Sequence, residues 1–531
     1  MRKLFILLAG VFIGNLYSQN LQIKYEESPV YKLTVPSVQN DYILPAGDGK
    51  FITISTKRKG FLVNPLTFES YFDLYDNNLK KIKSKKIRLN NRAIKGNIKG
   101  AFVKNNKLNI IKFNRNLRQK YYSFEYLIGD IQKGEMQPAH EFFRISKIYP
   151  KTEVNLFVNL KSLYYRKLKY YSDVYFYEPK IFVQFSDDNS FFTIIYRDFQ
   201  EKKTKYFIDV FNDKFEHIYQ QTITEEVAPD QFSINDILID KKANVFMATK
   251  LYRTSRNQQI KFAKKTDVKS FHIYKISKNS TKYIEINPKK IIEKLALAND
   301  KNRLFVLGFY RNEFLRLNDV DGVFRANIDK NNFISSNSFY IGLGDQVIKI
   351  NPENKKLCTK NHEIILRNLE VFKDGSIIMD AEDYFIPLVN KRRNREIEVR
   401  EIVGDLISLK VGEQGNLIWA NKIYKRQIVK PRLALHSCFS GIIDQKHILI
   451  FTDTQLQPQD KKVDFYLKGK ELQNLNGVII SSEGNIRSGI LIEHLKSKFR
   501  FIPIEGTKIN NNEIIIPAKN LQFIKFYKLV F

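Results

Sequence analysis

A polar turn followed by a short apolar strand recurs along the whole chain. Each copy has a turn rich in Asp, Asn, Gly and Lys and then a run rich in β-branched and aromatic residues, which is typical of a tight turn leading into a buried strand. Such self-similarity predicts one repeating architecture. The copies are GDGKFITIS (47–55), KNNKLNIIKF (104–113), SDDNSFFTIIY (186–196), DKKANVFMATKLY (240–252), NDKNRLFVLGFY (299–310), KDGSIIMDA (373–381), DQKHILIFTD (444–453) and INNNEIIIPA (509–518).

The residues on either side of each turn complete a four-stranded unit. One short apolar strand precedes the turn, and two more strands follow it, as in KYFIDVF (205–211) and EHIYQQTI (216–223). Four strands in about 50 to 70 residues describe one blade of a β-propeller, a radial sheet that contacts only its neighbours. The sequence therefore predicts an all-β propeller of eight blades, or of seven if one repeat is an insertion.

The two ends of the chain favour a closed ring. The last repeat supplies three strands, FIPIEG (501–506), NEIIIPA (512–518) and LQFIKFYKLVF (521–531), and then the chain stops. The segment NLQIKYEESPVYKLTV (20–35) is available as the fourth strand of that blade. Pairing of the first and last strands would leave no open blade, so we expect residues 19–531 to form a single domain.

A resemblance to known proteins agrees with this interpretation. The segment SDDNSFFTIIYRD (186–198) resembles TolB-like propeller repeats, and the chain as a whole resembles uncharacterised exported β-propeller-like proteins of Bacteroidota. The resemblance implies a propeller fold and export from the cytoplasm.

One interval between repeats is too long and predicts an insertion. Residues 141–177 lie between the second and third units and contain SLYYRKLKYYSDVYFY (162–177). Its tyrosines and cations fit either a flap packed on the propeller or a contact with a partner or glycan.

The N-terminus has the organisation of a secretory signal peptide. Arg2 and Lys3 precede the ten apolar residues LFILLAGVFI (4–13), and the small Ser18 stands before Gln19. Ten apolar residues are too few to cross a hydrocarbon core, which takes about 20. We therefore expect residues 1–18 to be removed and the protein to be periplasmic, exposed at the cell surface or extracellular.

The net charge points to anionic partners. The formal charge is +32, from 88 Lys and Arg against 56 Asp and Glu. A field of this sign attracts polyanions, which for an exported protein means an anionic glycan, a lipid head group or an acidic envelope protein, with no nucleic acid expected. A Lys-rich genome is the alternative explanation, although such a genome should raise Glu along with Lys.

A cation recurs where the second strand of a unit ends. FTIIYRD (192–198), MATKLYR (247–253) and VLGFYRN (306–312) end in Tyr-Arg or continue just past it. Arginine binds carboxylate, sulfate and phosphate through its planar fork, and the tyrosines could stack on sugar rings. We predict an anion-binding rim there, against the alternative that strands merely end in solvated cations. The candidate residues are Arg58, Arg115, Arg197, Arg253, Arg311, Lys519, Tyr196, Tyr252 and Tyr310.

The sixth unit breaks this pattern. It carries Asp380, Glu382 and Asp383 at the corresponding strand. We therefore expect the rim to be basic over most of its arc and acidic at this one point.

Motifs for catalysis and cofactors are lacking in the sequence. There is no GxSxG, no P-loop and no paired CxxC, and Leu366 replaces the second histidine of an HExxH motif that begins at His362. No cofactor or metal is predicted. A non-catalytic binding protein is favoured, and the enzymatic alternative is a lyase or hydrolase of acidic polysaccharide using His436 and His447 as part of an Arg-Tyr-His cluster.

Two further alternatives remain open at this stage. A scaffold subunit of an envelope protein complex would need no ligand chemistry. An outer-membrane β-barrel is favoured by the alternating Phe523, Tyr527 and Leu529 near the C-terminus, but barrel strands alternate throughout and the runs FFTII (191–195) and LFVLGF (304–309) do not.

The cysteines do not form a disulfide framework. Cys358 and Cys438 are two thiols in 531 residues, so a hydrophobic core must hold the fold whether or not they pair.

Overall fold

The structure is a computed structural model that shows a ring of short antiparallel sheets. No helix in the part of the chain it describes is long and apolar enough to cross a membrane. The described residues are 21, 23–32, 39–59, 67–88, 94–116, 119, 121–146, 181–198, 203–228, 231–253, 268–292, 294–311, 320–344, 362–385, 401–423, 425, 427–429, 438–453, 474–493, 497, 499–520 and 523–531.

The first four sheets, blades 1 to 4, follow one another along the chain, and their strands pair in chain order. Blade 1 consists of Gln39–Gly47, Lys50–Lys59, Thr67–Tyr75 and Lys81–Arg88; blade 2 of Ile94–Lys104, Lys107–Asn116, Tyr121–Asp130 and an outer position shared by Glu135–Met136 and His140–Ile145; blade 3 of Ile181–Phe185, Phe191–Arg197, Thr204–Asn212 and His217–Glu225; blade 4 of Phe232–Ile239, Val245–Tyr252, Val268–Ile276 and Thr281–Ile286.

Blades 5 to 8 repeat the arrangement, with some strand positions split into two short pieces. Blade 5 consists of Ile291–Ile292 with Ala296–Asn299, Arg303–Arg311, Gly322–Asp329 and Ser335–Gly342; blade 6 of His362–Val371, Ile377–Phe385, Glu401–Val411 and Leu417–Ile423 with Gln427–Val429; blade 7 of Phe439–Ile443, Lys446–Asp453, Asn474–Ile480 and Ile486–Ile492; blade 8 of Arg500–Phe501 with Thr507–Lys508, Glu513–Lys519, Phe523–Val530 and Lys24–Glu27 with Tyr31–Lys32. A 3₁₀ turn, Pro503–Glu505, lies between the first two pieces of blade 8.

The polar turn of each repeat is the hairpin between the first and second strands. In blade 2, Asn105 and Asn106 connect the paired residues Lys104 and Lys107 and have φ angles of 51° and 58°. Asn, Asp and Gly tolerate this left-handed conformation, and two such residues in succession give the tightest hairpin. The composition of the turns therefore fixes where each pair of strands folds back.

Apolar clusters join every blade to the next one around the ring. The second strand of blade 4 shows why, since Val245 and Met247 pack against blade 3 while Phe246 and Ala248 pack against blade 5. A strand covered on both faces needs an uninterrupted apolar run. Among the described residues there are eight such clusters, and one of them packs Phe51 and Tyr75 of blade 1 against Phe526 of blade 8 and so closes the ring.

The N-terminal segment completes the last blade. Lys24–Glu27 pairs antiparallel with the C-terminal strand, and Ser28 exchanges hydrogen bonds with the backbone of Phe526. The prediction of an eight-bladed propeller closed by its two ends is confirmed. Of the predicted insertion, residues 141–145 belong to the outer strand of blade 2, whereas 147–177 lie outside the described residues, as does the predicted signal peptide.

Candidate functional site

The second strands of all eight blades end on the same side of the ring. Corresponding strands of a propeller run in the same direction, so the connection from each second strand to the third lies on one rim, which we call the strand-2 rim. The backbone places six predicted cations there, each at or next to the end of its second strand. They are Arg58, Arg115, Arg197, Arg253, Arg311 and Lys519.

These cations differ in how far they reach into solvent. Arg253 is exposed, Arg197 is half-buried, and Arg311 is buried, with 6% of its surface exposed. Lys519 is half-buried, with its Nζ 3.2 Å from Oε2 of Glu505. The side chains of Arg58 and Arg115 lie outside the described residues. Of the four candidate cations whose side chains the structure describes, Arg253 is therefore the most exposed to solvent.

The tyrosines of the Tyr-Arg phrase contact the protein rather than forming an open surface. Tyr252 and Tyr310 are each only 4% exposed. The Nζ of Lys250 lies 5.1 Å from the ring centroid of Tyr252, and that of Lys290 lies 4.3 Å from the centroid of Tyr310. These are favourable cation–π contacts, so both rings hold additional positive charge near the rim.

Tyr196 has the same sequence position but different surroundings. Its ring is half-buried and packs on Phe207, with 5.2 Å between the ring centroids. Burial and the neighbouring Asp209 raise the pKa of its hydroxyl. Tyr196 therefore stays a neutral hydroxyl within blade 3.

The acids of the sixth blade are buried, not displayed at the rim. Asp380 and Glu382 have no exposed surface, and Asp383 has 2%. Glu382 forms ion pairs with Arg367 of the preceding strand and with Lys425. The expectation of an acidic point on the rim was wrong, because all three side chains are buried, and Glu382 is paired there with Arg367 and Lys425.

Asp380 forms a second buried ion pair, across the interface between blades 6 and 7. Its Oδ1 lies 2.8 Å from Nε2 of His447, and its Oδ2 accepts a hydrogen bond from Ser440. His447 has 1% of its side chain exposed, so it cannot contact a polysaccharide. His436, the other histidine of the lyase hypothesis, lies outside the described residues.

A third ion pair extends this cluster. Lys422 lies 3.4 Å from Oδ2 of Asp405, and burial, reinforced by repulsion from Asp383, raises the pKa of Asp405 to about 6. Cys438 packs beside the cluster, and burial raises the pKa of its thiol; Cys358 lies outside the described residues. We call Arg367, Asp380, Glu382, Asp383, Asp405, Lys422, Lys425 and His447 the ionic cluster.

The ionic cluster has no arrangement suited to a metal. In the described ranges, no group of three or more His, Cys, Asp or Glu side chains could hold a metal ion. Most of its ion pairs lie within blade 6, and the pair Asp380–His447 joins that blade to blade 7.

A polar and aromatic cluster that the sequence did not indicate lies between the outer strand of blade 3 and the third and outer strands of blade 4. Glu225 of blade 3 accepts hydrogen bonds from Nδ1 of His272, at 2.6 Å, and from the hydroxyl of Tyr274. Tyr283 stacks on His272 with 4.6 Å between the ring centroids. Because 47 residues separate Glu225 from His272, no local motif reveals the cluster.

Comparison with known proteins identifies no family for this chain. No family model and no curated protein matches the chain. Among solved structures, it is similar to the WD40 domain of SCAP from fission yeast, with 8% identity over 96% of this chain and 98% of that chain and a TM-score of 0.36. It is also similar to polysaccharide lyase Uly1, with 10% identity over 81% and 89% and a TM-score of 0.37, and to cobalt-substituted Synechocystis apocarotenoid oxygenase, with 9% identity over 92% and 95% and a TM-score of 0.35.

Proposed function

We propose that this propeller is an exported, non-catalytic binding protein of the cell envelope that holds an anionic ligand on the strand-2 rim. The observation that carries the proposal is the recurrence of a cation at the end of the second strand in six of the eight blades. The ligand class is an anionic glycan, a lipid head group or an acidic protein surface. The signal-peptide pattern of residues 1–18 supports export.

The chemistry of the rim favours sulfate, phosphate or carboxylate groups. Arginine offers five N–H donors in a planar fork that matches these anions, and it remains charged at any physiological pH. Lys250 and Lys290 add charge behind the exposed Arg253 and the buried Arg311. Cations spaced around an arc suit a repeating polyanion, because each repeat of the ligand can meet a different blade.

Salt-dependent retention on immobilised heparin tests this proposal. The test variant changes Arg58, Arg115, Arg197, Arg253 and Arg311 to Ala. The control removes the same charge from the opposite rim, where exposed lysines occupy the hairpins between first and second or third and fourth strands. The control residues changed to Ala are Lys107, Lys214, Lys242, Lys301 and Lys373.

The comparison between the two variants decides the result. Any chain with this net charge binds heparin weakly, so absolute retention says little. We expect the rim variant to elute at a clearly lower salt concentration than the hairpin control. Because Arg311 is buried, melting curves of both variants must show that they are folded under the conditions of the measurement. Equal elution would contradict an anion site on the strand-2 rim.

A further inference from the structure

We infer that the surface formed by the outer strand of blade 3 and the third and outer strands of blade 4 binds a neutral sugar ring of a glycan. We call it the outer patch and define it by Gln221, Glu225, His272, Tyr274 and Tyr283. This inference goes beyond the proposed function, because it concerns an uncharged ligand and a surface on the circumference of the ring.

Tyr283 provides an exposed aromatic face. It is 57% exposed, a high value for so large an apolar ring. Its ring lies nearly parallel to the imidazole of His272, at an interplanar angle of 24°. Because His272 covers one face of the ring, the other face and the edge are exposed to solvent. The negative face of an aromatic ring attracts the weakly positive C–H groups on one side of a pyranose.

The platform under Tyr283 is held rigidly. His272 and Tyr274 lie on the same face of their strand, and both donate hydrogen bonds to Glu225 across the blade interface. Burial raises the pKa of Glu225, but these two hydrogen bonds outweigh it and leave the pKa below its ordinary value. Glu225 is therefore a fixed carboxylate, and little conformational freedom is lost when a ligand stacks above it.

Polar side chains lie on the same sheet face as Tyr283 and on the facing outer strand of blade 3. The strand register places Glu285 opposite His272 and Tyr283 opposite Tyr274, so all four side chains share the face that meets blade 3. On the blade 3 side, Gln221 lies in the outer strand and bonds to the carbonyl of Lys278 at 2.9 Å.

The charge of these groups decides the ligand. The exposed carboxylate of Glu285 accepts hydrogen bonds from sugar hydroxyls and repels anions, so it favours a neutral sugar. Glu225, only 12% exposed and bonded to His272 and Tyr274, fixes the platform instead. An aromatic face beside fixed acceptors is the chemistry that recognises a pyranose.

Calorimetric titration of the mature chain with neutral hexasaccharides tests the inference. The probes are cellohexaose, laminarihexaose, xylohexaose and mannohexaose. We expect binding of at least one, a loss of roughly tenfold in affinity for Tyr283→Ala, and near-normal binding for Tyr283→Phe, which keeps the ring. The matched control is Tyr25→Ala, another exposed tyrosine, on the N-terminal strand of blade 8.

The outcomes separate this site from the rim. Binding that is weakened in Tyr283→Ala but unchanged in Tyr25→Ala and in the five-arginine rim variant supports a sugar site on the outer patch. Failure of the unchanged protein to bind any of the four probes would overturn the inference, as would equal binding by Tyr283→Ala and Tyr25→Ala. Neither result bears on heparin retention.

Discussion

Asp380 in the second strand of blade 6 and His447 in the second strand of blade 7 form an ion pair in the interior of the ring. Oδ1 of Asp380 lies 2.8 Å from Nε2 of His447, and the two side chains are 0% and 1% exposed, respectively. Burial alone would raise the pKa of Asp380 and lower that of His447. Their mutual attraction outweighs burial, so the pKa of Asp380 is lowered and that of His447 is raised.

The pair makes stability depend on pH in a defined direction. A carboxyl with a lowered pKa stabilises the fold above its ordinary value of 3.8, and an imidazole with a raised pKa stabilises it below its ordinary value of 6.5. We expect the contribution of the pair to be greatest between these values. It should fall as pH rises through the pKa of His447 or drops through that of Asp380.

Melting temperatures across pH measure this effect as a difference between variants. The variant His447→Gln leaves a buried, unpaired carboxylate and should lose about 3 to 5 kcal/mol near pH 5, with a smaller loss at alkaline pH. The double variant Asp380→Asn, His447→Gln removes both charges, and its melting temperature should vary less with pH. A constant difference between His447→Gln and the unchanged protein at all pH values would refute the ion pair.

The cations around Glu382 should be costly to leave unpaired. Glu382→Leu removes the carboxylate that pairs with Arg367 and Lys425 at a buried site. We expect this substitution to lower the free energy of unfolding by about 3 to 5 kcal/mol. A triple variant with Arg367→Met and Lys425→Met removes all three charges and should recover much of that loss. Urea denaturation measures both, and a triple variant no more stable than Glu382→Leu would contradict the explanation.

The hydrogen bonds of Arg325 should strongly stabilise the packing of blade 5 against blade 6. It is fully buried and donates to the carbonyl oxygens of Gly412, at 2.8 Å, and Gly375, at 3.0 Å. Burial lowers its pKa to about 10, so it is still a cation at neutral pH. Arg325→Met removes both hydrogen bonds, although the Gly412 carbonyl keeps the one that it accepts from the N–H of Gly415 at 3.0 Å. We expect the substitution to cost about 2 to 4 kcal/mol.

A nearby arginine supplies the control for Arg325. Arg303 pairs with Asp300 and Glu413, and 28% of its side chain is exposed. Solvent screens such a pair, so Arg303→Met should cost less than about 1 kcal/mol. Equal losses of unfolding free energy in the two variants would show that burial of Arg325 is not what matters.

Closure of the ring should depend on the N-terminal strand. Deletion of residues 19–32 exposes the edge of Phe523–Val530 and removes the pairing of Lys525 with Glu27 and of Lys528 with Glu26. An uncovered strand edge recruits other chains, so we expect a lower melting temperature and concentration-dependent aggregation in light scattering. A deletion variant that is monomeric and melts normally would contradict a structural role for closure.

The fold was predictable because its signals are local and repeated. Two examples are the turn residues Asn105 and Asn106 and the uninterrupted apolar run around Phe246, both of which are features of short segments. A polar hairpin followed by an apolar strand recurs in all eight blades. The ends of the second strands, and with them the positions of Arg197, Arg253 and Arg311, followed from the same repeat.

The environment of each candidate residue was not predictable from such segments. From the sequence, Tyr310 resembles a surface tyrosine. In the structure it is buried, and the Nζ of Lys290, from the connection between blades 4 and 5, lies 4.3 Å from its ring centroid. Likewise, the sequence suggests that Glu382 is an acid of the rim, whereas in the structure it is buried and paired with Arg367 and Lys425. Burial and pairing depend on residues from other strands and other blades, and a single sequence carries no signal for those contacts.

Arg253, the exposed rim cation of blade 4, offers the most direct test of the anion site. Arg253 and Lys242 are both exposed and belong to the same blade, but they lie on opposite rims. Calorimetric titration with a heparin octasaccharide over a series of salt concentrations compares Arg253→Ala with Lys242→Ala. We expect Arg253→Ala, but not Lys242→Ala, to lose about threefold or more in affinity for the octasaccharide and to show a shallower dependence of affinity on salt. Equal affinities and equal salt dependences in the two variants would contradict an anion site on the strand-2 rim.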